Sequence, residues 1–215
     1  MQNRKLPRVY PILDTESLEA RGLTLESAAA ALLHGGAGIL QIRHKGHWSR
    51  QVFESAGRVA RLCIEAGAPL IIDDRADFAR LLEAGLHVGQ DDLPPRDARL
   101  LLGPEATIGF SSHNAGQLVA AEAEPVDYVA LGPVFSTRTK RHPDPVVGVE
   151  EVRRCRALVS KPLVAIGGIT RANAMEVLRA GADSVAVIAD LLPANATPRS
   201  LRERMEEWNR LVTAV

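Results

Sequence analysis

Short apolar runs rich in β-branched residues alternate along the chain with longer segments of Ala, Leu, Arg and Glu. Eight runs have strand length: residues 9–13, 38–41, 70–73, 86–88, 107–110, 128–131, 163–166 and 184–187. A helical pattern follows each. The segment 24–34 opens at a Thr24 cap and stops at Gly35-Gly36, and another opens at Asn114 with Gln117 placed as in a capping box. Thr170 is expected to cap the next, which Gly181 ends, and Thr197-Pro198 puts proline at the first position of the last.

The runs read as nearly continuous apolar stretches, the pattern of strands covered on both faces. Eight strand–helix repeats predict a closed (β/α)8 barrel, an α/β fold occupying residues 1–215 as one domain. An open doubly wound sheet is the alternative. It calls for a Gly-rich loop after the first strand, where the chain has Leu13-Asp14-Thr15-Glu16.

Composition narrows the partners. Lys+Arg and Asp+Glu both number 26, so no basic excess points to nucleic acid or an acidic membrane surface. With 46% hydrophobic residues the chain can bury a substantial core. Cys63 and Cys155 fall in predicted helices without metal-ligand spacing, so both read as small buried apolar residues. The first residues, Met1 to Pro7, lack the apolar core of a signal peptide, and no run approaches the ~18 apolar residues of a membrane span. A soluble cytoplasmic protein is expected. Oligomeric state is not readable, and a homo-oligomer stays possible.

In a barrel the loops after the strands form the active face. The second loop is Gln41-Ile42-Arg43-His44-Lys45. Alternation puts Gln41, Arg43 and Lys45 on one side, with an amide for a heterocycle edge and two cations for phosphate. The third and fourth loops carry Asp73, Asp74 and Asp77, then Asp91 and Asp92. Taken singly each aspartate is as well explained by helix capping. Together on one mouth they point to Mg2+, with Asp74 and Asp92 as ligands, since magnesium takes one or two carboxylates and completes its shell with water and phosphate oxygens. The fifth loop offers Ser111 as a donor and His113 as an acid/base or structural group. The sixth, Gly132 to His142, alternates hydroxyls and ends in basic residues, as a lid over anions would. The Gly167-Gly168 pair and the Ile188-Ala189 turn follow the last two strands, where such barrels commonly bind phosphate with backbone N–H groups. Two anionic sites on one mouth suggest an enzyme that joins two phosphorylated compounds.

Gln41-x-Arg43-x-Lys45, Asp74-Arg75, Gly89-Gln90-x-Asp92, Gly109-x-Ser111-x-His113, Gly132-Pro133-x-Phe135-x-Thr137-x-Thr139-Lys140 and Gly167-Gly168-Ile169-Thr170 occur in that order. The chain thereby resembles the thiamine-phosphate synthase family from about Val9 to the last strand. The resemblance implies a (β/α)8 transferase that joins hydroxymethylpyrimidine diphosphate and thiazole phosphate, releasing pyrophosphate, with Mg2+ as cofactor. It implies that Asp74 and Asp92 hold the metal, that Arg43, Lys45 and Lys140 neutralise the diphosphate, and that Ser111 sits beside it. Gln41 would contact the pyrimidine. Thr137, Thr139 and the backbone of Gly168, Ile188 and Ala189 would bind the thiazole phosphate.

Three positions depart from the family pattern. Asp73 stands where Asn is usual, His44 where an acid is common, and Ala189 where Ser is often found. Ionised Asp accepts hydrogen bonds but cannot donate them, so pyrimidine recognition at Asp73 is altered; Asp73 is expected to accept from the exocyclic amino group. Two rivals share the barrel: a related thiazole tautomerase, metal-free and using His113, and a non-catalytic barrel that binds thiamine precursors.

Overall fold

The computed structural model describes residues 6–137 and 144–213. Eight parallel strands close on themselves in sequence order, with β8 pairing back onto β1. They are β1 (Val9–Asp14), β2 (Leu40–Arg43), β3 (Leu70–Asp73), β4 (Gly85–Val88), β5 (Ile108–Ser112), β6 (Tyr128–Leu131), β7 (Leu163–Ile166) and β8 (Ser184–Val187). The outer layer comprises α1 (Thr15–Glu19), α2 (Leu25–His34), α3 (Arg50–Ala66), α4 (Ala76–Leu81), α5 (Pro95–Leu102), α6 (Ala115–Glu122), α7 (Gly148–Arg156), α8 (Ala174–Arg179) and α9 (Pro198–Thr213). The closed barrel excludes the open sheet.

The large apolar cluster lies between strands and helices, and contains Leu13, Ile42, Ile72 and Leu86. A second cluster fills the lumen with the alternate strand positions: Tyr10, Ile12, Ile39, Ile71, Tyr128, Ala130, Val164 and Ala186. Inward residues are apolar low in the barrel and polar towards the C-terminal ends. Following that parity upward gives Asp14, Gln41, Arg43, Asp73, His87 and Ser111. The polar mouth is thus built by strand alternation, on rigid elements.

Most predicted boundaries coincide with the observed ones, with corrections. β1 continues through Asp14, β2 through Arg43 and β5 through Ser112, so Arg43 and Ser111 stand on strands rather than in loops, and Gln41 lies within β2. Thr24 and Asn114 cap α2 and α6 by accepting from the backbone N–H of Ser27 and Gln117. Thr170 is not the cap residue of α8, although its backbone oxygen accepts from Ala174 N at 2.9 Å. α8 begins later, after Asn173, whose Oδ1 instead accepts from the Thr170 N–H at 2.7 Å. Cys63 and Cys155 are buried thiols, each pushed up to about 11 chiefly by burial. Among the described residues no helix is long and apolar enough to cross a membrane.

Candidate active site

A cavity of about 820 Å3 opens at the C-terminal mouth. Gln41, Arg43, Lys45, Asp73, Asp74, Asp92, Ser111, Thr137, Gly168, Ile188 and Ala189 all line it, so the described sequence-predicted residues converge. Thr139 and Lys140 lie outside the described residues.

Register explains the first group. Asp14 stands opposite Arg43, and Asp73 opposite His87. Arg43 Nη1 donates to Asp14 Oδ2 at 2.6 Å, and its Nε lies 3.8 Å from Asp73 Oδ2. Asp14 Oδ1 meanwhile caps α1, accepting from Ser17 N at 2.9 Å. Gln41 Nε2 donates to Asp73 Oδ1 at 3.0 Å. Lys45 Nζ sits 2.8 Å from Asp73 Oδ2 and also donates to Asp74. Burial alone would lower the Lys45 pKa, but Asp73 and Asp74 overcome it and hold the ammonium above its usual range. Burial pushes Asp73 above the usual carboxylate range, with Lys45 and Arg43 opposing.

The two metal candidates meet, as their strand-end positions suggest. Asp74 takes a left-handed backbone, φ 62°, a region sparsely used by side-chain-bearing residues. Its N–H donates to the backbone oxygen of His87 at 2.8 Å, locking that turn. Asp92 is not a helix cap, because α5 starts at Pro95 after Pro94. Instead Asp92 Oδ2 accepts from Gly89 N at 2.7 Å and folds the fourth loop back on itself. Burial raises the Asp92 pKa against that Gly89 bond, and the neighbouring Asp74 carboxylate raises it further. Two neighbouring carboxylates favour a shared proton or a cation, and the Lys45 ammonium already meets part of that charge at Asp74.

The charge balance favours a cation. The described lining residues carry five aspartates, 73, 74, 91, 92 and 144, against Arg43 and Lys45. Among the described residues the lining is acidic overall, so a diphosphate bound there calls for further positive charge. Among the described residues no three His, Cys, Asp or Glu side chains converge as a metal cage. Two carboxylates and an open side are the donor set Mg2+ takes with a phosphate substrate.

Across the mouth, Gly167 and Gly168 have φ 98° and 63°. A Cβ on Gly168 would lie 2.4 Å from the Ser136 backbone oxygen, so only glycine lets the sixth and seventh loops approach this closely. A short 3-10 turn, Ala189–Leu191, follows Ile188. Arg171 Nε bonds Asp190 at 3.0 Å and fixes the turn from the neighbouring loop.

Residues 9–191 match the family profile described as thiamine monophosphate synthase. A thiamine-phosphate synthase of Koribacter versatilis is 49% identical over 191 residues, covering 87% of this chain and 90% of that one. The chain belongs to the thiamine monophosphate synthase family. A thiamine-phosphate synthase of Chloroflexus aurantiacus is 39% identical over 197 residues, covering 91% and 90%. A solved thiamine phosphate pyrophosphorylase from Pyrococcus furiosus superposes with a TM-score of 0.84 at 31% identity, over 100% of this chain and 98% of that one.

Several site residues of this family member escaped the sequence reading. Asp14 is the partner of Arg43. Asp144 gives His113 the carboxylate neighbour it lacked in sequence, at 3.4 Å, while His113 Nδ1 also lies 2.8 Å from Gly132 O. His44, in place of an acid, is structural: Nδ1 meets Thr15 Oγ1 at 2.8 Å, and the ring packs edge-on against Trp48. Half-buried His87 and the buried Tyr128 and Tyr10 form a polar chain leading to Ser111.

Proposed function

We propose that this protein is a thiamine-phosphate synthase. It joins hydroxymethylpyrimidine diphosphate to thiazole phosphate, giving thiamine monophosphate and pyrophosphate. The observation that carries this reading is the meeting of Asp74 and Asp92 at a mouth that also presents the Gly168 and Ile188–Ala189 backbone. One face thus offers a divalent-cation position and a separate anion position.

The bond that breaks joins a methylene carbon to diphosphate oxygen, and the bond that forms joins that carbon to the thiazole nitrogen. The electron-rich aminopyrimidine supports positive charge on the methylene carbon as diphosphate leaves with the bonding pair. Mg2+ held by Asp74 and Asp92 would supply positive charge to the departing diphosphate. Arg43 and Lys45, held by Asp14, Asp73 and Asp74, stand ready to donate to the same anion, and Ser111 donates beside them. Lys140 neutralises the same anion in this reading. Gln41, turned by Asp73, presents its amide oxygen to the pyrimidine amino group. Thr137, Thr139 and the backbone N–H groups of Gly168, Ile188 and Ala189 hold the thiazole phosphate and so aim its ring nitrogen. No step calls for a protein nucleophile. We take the cytoplasm as the site of the reaction, in keeping with the two buried thiols.

The test is metal dependence. Purified protein with both substrates is expected to form thiamine phosphate with Mg2+ and to lose that activity on chelation. Isomerisation of the thiazole that survives chelation would assign the site to His113-based tautomerase chemistry. Binding of both precursors without turnover under any metal would make it a binding barrel.

A further inference from the structure

His87 is the one titratable residue projecting from β4 into the lumen, and the proposed chemistry does not use it. Its Nε2 lies 2.8 Å from Ser111 Oγ and its Nδ1 lies 3.0 Å from the Tyr128 hydroxyl. The Tyr128 hydroxyl lies 2.8 Å from that of Tyr10. The His87 and Tyr128 rings stack, with centroids 5.6 Å apart. Gly109 makes room for this: a Cβ there would sit 2.0 Å from the Tyr128 ring.

The chain has one internally consistent direction. Each hydroxyl owns one proton and neutral imidazole owns one. Suppose Ser111 donates to His87 Nε2. Then Nδ1–H donates to Tyr128, Tyr128 donates to Tyr10, and the Tyr10 O–H is left over. Tyr10 is 1% exposed, and among the described residues its hydroxyl has Tyr128 as its hydrogen-bond partner. An unmatched buried donor is costly. In the opposite direction Tyr10 donates to Tyr128, Tyr128 to Nδ1, and Nε2–H to Ser111 Oγ. Every buried donor then has an acceptor. The one proton left over belongs to Ser111, which like Tyr10 lines the cavity but is only half-buried where Tyr10 is almost fully enclosed. A doubly protonated ring would likewise donate to Tyr128 and leave the Tyr10 O–H over, so the same accounting selects the neutral ring. Gln90 Nε2 anchors the same serine through its backbone oxygen at 2.6 Å.

We infer that His87 is a positioning residue: as the Nε2–H tautomer, set by Tyr10 and Tyr128, it occupies an acceptor lone pair of Ser111 and commits the serine proton to the substrate anion. The inference rests on the proposed function for the identity of that anion. The serine hydroxyl arrives already oriented, so its bond to the leaving diphosphate needs no rearrangement during bond breaking.

Two measurements test this. In 15N-histidine-labelled protein, with the His87 signals assigned by loss in His87→Gln, Nε2 is expected to carry the proton at neutral pH without ligand. A proton on Nδ1 overturns the inference, and this readout stands whether or not the protein turns over either substrate. In turnover, His87→Ala is expected to lower kcat about 10- to 100-fold while leaving the thiazole-phosphate KM within about twofold. His87→Gln, whose amide N–H reaches the place of Nε2, should restore most of that loss. In a Ser111→Ala background His87→Ala should add no further loss. An equal, additive loss there contradicts action through Ser111. Absence of thiamine phosphate from the unmodified protein would instead overturn the functional reading and leave the tautomer result intact.

Discussion

Lys45 is held by Asp73 before any substrate arrives: its Nζ lies 2.8 Å from Asp73 Oδ2, a carboxylate 6% exposed. Asp73, one of the three positions read from the sequence as departures from the family pattern, therefore engages a cation expected to serve the diphosphate. Asn at this position would keep an oxygen for Gln41 and remove one negative charge. Asp73→Asn is expected to lower the KM for the pyrimidine diphosphate by roughly 3- to 10-fold in steady-state assays. A higher KM would mean that the carboxylate itself contacts the pyrimidine amino group.

Asp92 has two tasks, folding its loop through Gly89 N and serving as a metal ligand. They separate by substitution. Asp92→Asn retains an oxygen for Gly89 and should keep its melting temperature, yet require much more Mg2+ for half-maximal rate. A magnesium titration unchanged from that of the unmodified protein would remove Asp92 from the ligand set.

Asp14 caps α1 and pairs with Arg43 from one carboxylate. Asp14→Ala loses the cap and leaves a largely buried guanidinium without its main partner, an expected cost of about 2–4 kcal/mol in denaturant unfolding. Asn caps as well as Asp, so Asp14→Asn should recover about 1 kcal/mol of that loss.

Much of this site was legible because strand ends announce themselves. The apolar runs stop at Asp73 and Val88, and the residues just past them must lie on the mouth once eight strands close. Asp74 and Asp92 could be read that way. Arg43 and Ser111 were found but assigned to loops, because barrel strands are apolar on both faces and the alternation is muted below the mouth. Asp14 was missed because its meaning depends on register with Arg43 across β1 and β2, which periodicity does not supply. His87 was hidden inside Gly85-Leu86-His87-Val88-Gly89. The signal was present: it is the polar residue on the inward parity of β4, level with Asp73.

His87 also predicts an acid-sensitivity. In the unfolded chain a histidine takes a proton below about pH 6.5, whereas in the fold it does so near pH 4. The unfolded state therefore binds more protons between those values. The stability is complete above about pH 6.5 and declines as pH falls towards 4, by up to roughly 3 kcal/mol from this group. Urea unfolding of the unmodified protein and of His87→Gln at pH 7 and pH 4.5 should show a smaller pH-dependent loss in the variant. Parallel losses would place the acid lability elsewhere.

In the proposed function the two anionic positions on this mouth serve one coupling reaction. Its most direct test measures both products when the purified protein, Mg2+, hydroxymethylpyrimidine diphosphate and thiazole phosphate are mixed. The expected result is thiamine monophosphate and pyrophosphate in equal amounts, with neither formed when either substrate is omitted. Pyrophosphate without thiamine monophosphate, or no product from the complete mixture, would contradict it.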